Sequence, residues 1–144
     1  MTTRHVAVFD STLQKTHQWL EELARIGPYD DESQAYTALR VVLHALRDRL
    51  MPEEAVHLGA QLPMLIRGFY YEGWNPSRTP RSDLGGERPF VEHVQHELRN
   101  AAAGIDPRHA VESVFRLLSE HVTRGEIQDV RQQLPRELQR LWPS

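Results

Sequence analysis

At 144 residues, with no cysteine, 40% hydrophobic and 26% charged residues and a formal net charge of −3, the chain has the size of one domain or of two very small modules sharing a core. That composition excludes disulfides, thiolate metal sites and cysteine nucleophiles, is too apolar for a disordered tail, and lacks the strong basic field that non-specific nucleic-acid binding needs. No apolar run approaches the ~18 residues that cross a bilayer, and Met1 to His5 have no leader-like apolar stretch, so a cytoplasmic protein with no membrane partner is expected.

Apolar residues recur at helical spacing along almost the whole chain. A first helix is predicted from near Asp10 and Ser11, where Ser11 and Gln14 have capping-box spacing, to Ile26 before Gly27-Pro28; Leu13, Leu20 and Leu23 form its stripe. A second opens at Asp31, with Gln34 three residues on, and presents Leu39, Val42, Leu43, Leu46 and Leu50. A third opens at Pro52, a favoured first helical residue, with Glu53 and Glu54 suited to the dipole there; its stripe runs from Ala55 and Leu58 to Ile66 and Phe69. Glycine and proline then punctuate residues 73–86, which read as a loop. Helical spacing resumes with Phe90, Val94 and Leu98 and ends near Gly104. Asp106-Pro107 opens a fifth helix carrying Ala110, Val114, Leu117 and Leu118. Thr123, with Glu126 as its capping-box partner, opens a sixth that shows Ile127, Val130, Leu134, Leu138 and Leu141. The fold class is all-α.

The second half echoes the first. Gln61-Leu62-Pro63 reappears as Gln133-Leu134-Pro135, an offset of 135 − 63 = 72. At that offset Leu46 meets Leu118, Glu54 meets Glu126, His57 meets Asp129 and Tyr70 meets Trp142. The chain therefore reads as a six-helix array of two pseudo-repeated three-helix units, residues 1–72 and 87–144, packed as one domain around the loop at 73–86. Pro63 and Pro135 interrupt helical patterns at matching places and should kink or restart their helices.

The motifs Phe9-Asp10-Ser11-Thr12-Leu13-Gln14-Lys15-Thr16, Leu43-His44-Ala45-Leu46-Arg47-Asp48-Arg49-Leu50 and Gly59-Ala60-Gln61-Leu62-Pro63 carry a family likeness. So do Gly68-Phe69-Tyr70-Tyr71-Glu72-Gly73-Trp74 and Gly125-Glu126-Ile127-Gln128-Asp129-Val130-Arg131. Together they resemble a bacterial family catalogued as domain of unknown function 2267. The resemblance implies a small helical protein with duplicated halves and carries over no catalytic residue.

Three groups of residues are candidates for function. Arg67, Tyr71 and Trp74, where the third helix runs into the loop, have the composition of a partner-binding hot spot; Phe69 and Tyr70 have core-like counterparts and are expected to pack. A ligand pocket between the halves would be lined by His44, Arg67 and Tyr71. His93 and His96, three apart on one helix, are the alternative metal pair. Glu54 and His57 have the Glu-x-x-His spacing of di-metal bundles, but that motif occurs once and His57 aligns with Asp129, an exposed polar position. No nucleophile elbow, phosphate loop or dinucleotide fingerprint appears, and the arginines are interleaved with acids as on a solvated surface. The expected function is a non-enzymatic interaction module, an adapter or regulator binding a protein partner or itself. It would use no cofactor and bind no nucleic acid. The alternative is a small-molecule or metal-ion site between the two units.

Overall fold

The structure, a computed structural model, describes residues 5–101 and 104–144. Met1 to Arg4, on which the expectation about a leader partly rests, lie outside the described residues. Among those described there is no strand. Eight α-helices follow in order: α1 Ala7–Ile26, α2 Glu32–Arg49, α3 Pro52–Ala60, α4 Met64–Tyr71, α5 Glu87–Asn100, α6 Pro107–His121, α7 Arg124–Gln132 and α8 Arg136–Gln139. Two single 3-10 turns, Pro76–Arg78 and Ser82–Leu84, lie between α4 and α5. No helix among these residues is long and apolar enough to cross a membrane.

Local chemistry sets most of the boundaries. The Asp31 carboxylate accepts from the Gln34 N–H at 2.9 Å and opens α2; Asp106 does the same for His109 and opens α6, with Pro107 at its first position. Pro63 and Pro135 each stand as the residue before a new helix, so the predicted third and sixth helices are each divided in two. The six predicted helices become eight because a proline lacks the N–H that continuing the turn would use. The start predicted for α1 is corrected: the helix begins at Ala7, one turn before Ser11. The Val6 carbonyl accepts from the Phe9 and Asp10 N–H groups, Ser11 lies inside the helix, and no Ser11–Gln14 capping box forms. The helix after the loop starts at Glu87 and ends at Asn100, short of Gly104.

α2 and α6 are the central pair, packed on each other and both flanked by α1 and α5. Leu39, Val42, Leu43 and Leu46 of α2 and Val111, Val114, Phe115 and Leu118 of α6 are fully buried. Burial of each such side chain stabilises the fold by roughly 1.5–3 kcal/mol before cavity effects. Phe115 stacks on Trp142, ring centroids 4.1 Å apart, and so closes the C-terminal end over the core. Away from this centre, α3 packs against α7 and α4.

Candidate functional site

The α3–α7 contact is held by a reciprocal pair of hydrogen bonds. The Gln61 side-chain oxygen accepts from the Thr123 N–H at 2.9 Å, and the Gln133 side-chain oxygen accepts from the Met51 N–H at 2.9 Å. Gln61 and Gln133 follow the C-termini of α3 and α7, while Met51 and Thr123 precede their N-termini. Each helix thus receives its cap from the far end of the other, and the two run antiparallel. Thr123 Oγ1 accepts from the Glu126 N–H at 3.3 Å, as expected of a capping box. The returning half of that box is absent, because Gln61 already occupies the Thr123 N–H.

Glu126 is therefore left to face Glu54, which occupies the equivalent place in the first turn of α3. Both residues are buried, each only 8% exposed, and neither Oε2 has a hydrogen-bond partner within the protein. Burial first, then the neighbouring Glu54 and Asp129, push the Glu126 carboxyl up to about 8. His57 sits at its rim with Nδ1 3.8 Å from Glu54 Oε2, its own side chain exposed. Sequence spacing marked Glu54 and His57, and the offset matched Glu54 to Glu126. What no spacing rule gives is that the matched residues meet.

Arg67, Tyr71 and Trp74 do come together. α4 stands on the C-terminal end of α3, where the Arg67 guanidinium donates to the carbonyls of Gly59 and Leu62 at 2.9 and 2.8 Å. The Gly59 carbonyl also accepts from the Leu62 N–H at 3.1 Å, so Arg67 adds to the turn that ends α3 and works as a cap. Tyr71 lies over Gly59, and a Cβ there would come within 2.4 Å of its hydroxyl oxygen. The Tyr70, Tyr71 and Trp74 rings form a ladder with centroid spacings of 4.9 and 5.4 Å. Tyr70 is wholly buried, while Tyr71 and Trp74 are half-buried.

His44 is elsewhere, and the pocket predicted from His44, Arg67 and Tyr71 is corrected on this point. Its Nε2 lies 2.6 Å from the Phe69 carbonyl in a separate cleft of about 330 Å³, shared with Arg40, Arg47, Asp48, Arg81, His93 and Glu97. The periodicity of α4 separates them: Phe69 turns its carbonyl to α2, whereas Arg67 and Tyr71, four residues apart, share the face toward α3. Burial, then Arg81, hold the His93 imidazolium below its ordinary range. His93 faces this cleft; His96 does not line it and is exposed. His121 is accounted for structurally, stacked on Trp19 at 4.4 Å and hydrogen-bonded to Glu22 at 2.5 Å.

The N-terminal half of α1 supplies a feature that helical spacing alone did not distinguish from core. Its first buried residue is Thr16, and before it Phe9 and Leu13 are 61% and 50% exposed. They neighbour Met64 and Leu65 at the start of α4, 46% and 44% exposed, where the Leu65 N–H donates to Thr12 Oγ1 at 2.9 Å. The Thr12–Leu65 bond thus brings two exposed apolar stretches of α1 and α4 near each other. Only the exposure reveals it, since Leu13 reads as core in a periodicity argument.

No curated protein matches this chain. The family model described as uncharacterized conserved protein matches residues 16–141, and the chain belongs to that family, DUF2267.

Proposed function

We propose that this chain is a non-enzymatic interaction module of the bacterial cytoplasm, built from two copies of a helical unit, that docks a protein partner or a second copy of itself. The contact face is the exposed half of α1 with the start of α4. The observation that carries this reading is the grouping of Phe9, Leu13, Met64 and Leu65 in solvent around the Thr12–Leu65 hydrogen bond. An apolar patch on two helices is the kind of surface that pairs with a helix or groove of another chain.

The duplication is supported by the offset of 72, which superimposes the bounds of α3, Pro52–Ala60, on those of α7, Arg124–Gln132. Bonds correspond as well: Arg67 donates to Leu62 O, and Gln139, at the equivalent position, donates to Leu134 O, both at 2.8 Å. Within that scheme α1 is the exception. It has 20 residues against 14 in α5, whose Phe90 is buried in the first turn. The surplus in α1 is its exposed N-terminal part, which contributes little to the core and is available for a partner.

Sedimentation velocity of the full chain over a wide concentration range, alone and with any co-purifying protein, tests the reading against Phe9→Asp/Leu65→Asp. The expected result is an oligomer or a complex in the parent that the double variant loses while keeping its helical circular dichroism. An assembly that survives in the variant, or a parent that stays a bare monomer under every condition, overturns it.

A further inference from the structure

Glu54 and Glu126 bring their carboxylates together from the first turns of two antiparallel helices, and the apolar face on α1 and α4 makes no use of them. Two glutamates that are each only 8% exposed are costly to keep ionised without compensation. Each nevertheless holds one oxygen, Oε2, that is shielded from solvent and accepts no hydrogen bond. His57, one turn after Glu54, adds an imidazole at the mouth, and ligand atoms from all three residues lie within 4.8 Å of one another. Asp129, one turn after Glu126, adds a further negative charge near the same point.

We propose that Glu54, His57 and Glu126 bind one divalent transition-metal ion, of the Zn²⁺ or Mn²⁺ class, which clamps α3 to α7. The donors determine the class: two carboxylate oxygens and one imidazole nitrogen, with no thiolate, suit Zn²⁺ or Mn²⁺ better than a soft ion such as Cu(I). Bonds of roughly 2.0–2.2 Å place ligand atoms about 3–4 Å apart, slightly closer than the spread here. His57 is the group with freedom to close that gap, because its side chain is 55% exposed while both glutamates are fixed by burial. Three protein ligands leave room for water to complete the coordination shell, and the mouth beside His57 is the route by which ion and water enter. A proton shared by the two carboxyl groups also relieves their repulsion, but it gives His57 no part.

Titration calorimetry of the chelator-treated full chain with ZnCl₂ and with MnCl₂, followed by thermal unfolding in each, separates the two. The expected result is one ion per chain and a higher Tm with at least one of the metals. Glu126→Gln, which keeps the shape and a hydrogen bond to Glu54, lowers affinity by more than the roughly 10–100-fold that loss of an outer-shell partner costs. His57→Ala, on an exposed ring that the fold does not need, weakens binding in the same direction. The proposal is overturned if neither metal gives heat or a Tm rise, or if the ion binds as tightly to Glu126→Gln and His57→Ala as to the parent.

Discussion

The carboxamide of Gln61 caps a helix it does not belong to: its oxygen accepts from the Thr123 N–H at 2.9 Å, and its nitrogen donates to Thr123 Oγ1 at 3.1 Å. A residue 62 positions away thereby does what Glu126 would otherwise do within its own capping box. Gln133 repeats the arrangement at Met51, so two glutamines free two glutamates to face each other. Helix capping, interface and candidate metal site are one network.

Removing either glutamine side chain should therefore act like the loss of a helix cap. Gln61→Ala and Gln133→Ala are each expected to cost about 1 kcal/mol, the usual loss for an N-terminal cap. Urea unfolding at constant m-value reads this directly. Unfolding midpoints that do not move in either variant would mean that these bonds exchange freely with water and do not define the α3–α7 contact.

Much of this architecture is legible in the sequence because it depends on local rules. Asp31, Asp106 and Thr123 announce helix starts through side-chain acceptors three residues before an N–H, and Pro63 and Pro135 announce breaks. The start of α1 is not legible in the same way, since Val6 has no side-chain acceptor to mark it. The candidate site was half legible. The offset of 72 pairs Glu54 with Glu126, but it contains no information on how the two segments are rotated against each other. That rotation is set by long-range packing, and it decides whether matched residues meet or lie on opposite surfaces. The same limit applies to His44 on α2: composition and spacing do not tell which side of α4 it packs against, and so do not separate it from Arg67 and Tyr71.

Gly59 is fixed by close approach and not by backbone conformation. A methyl group there would meet the Tyr71 hydroxyl oxygen at 2.4 Å and the Tyr70 ring at 3.0 Å. Alanine gains about 1 kcal/mol of helix propensity over glycine, and the steric cost has to exceed that for the sign to be unfavourable. Tyr71 can yield at its exposed end, but the buried Tyr70, whose hydroxyl donates to the Ala55 carbonyl at 2.6 Å, cannot. Gly59→Ala is expected to destabilise by about 1–2 kcal/mol, within the 1–3 kcal/mol typical of overpacking. A variant more stable than the parent in urea would show that the Tyr70–Tyr71–Trp74 ladder shifts without cost.

Exposure divides α1 into a half that folds the protein and a half that does not. Leu23 is wholly buried, and Leu23→Ala should cost about 2–5 kcal/mol by the usual transfer and cavity terms. Phe9→Ala removes a larger side chain yet should change stability by no more than about 0.5 kcal/mol. Denaturant unfolding of both variants in dilute solution is the comparison to make. A large loss in Phe9→Ala would place that ring in the folded core and remove the face proposed for docking.

His44 gives the chain a predictable pH response. The Phe69 carbonyl can only accept, so the His44 Nε2 at 2.6 Å carries the hydrogen and the neutral ring satisfies the bond. Burial foremost holds the imidazolium below its ordinary range; Arg47 and Arg40 add to that effect, while the Phe69 bond and Asp48 oppose it. Glu72 from the end of α4, Arg81 from the loop, and His93 and Glu97 from α5 also line the cleft. A depressed pKa in the folded state means that the unfolded chain binds more protons between the folded value and 6.5. The stabilisation is thus fully present above 6.5 and is lost as pH falls through the folded value. His44→Gln keeps a donor for Phe69 but cannot titrate, so it should make the acid side of the stability profile less steep than the parent's; His93 shifts in the same direction as His44, while Glu126, raised to about 8, acts in the opposite one in both chains. NMR titration of the His44 ring protons gives the decisive reading: a midpoint at or above 6.5 in the folded protein would mean that the Phe69 bond and Asp48 outweigh burial, and the expected loss of stability on the acid side would be absent.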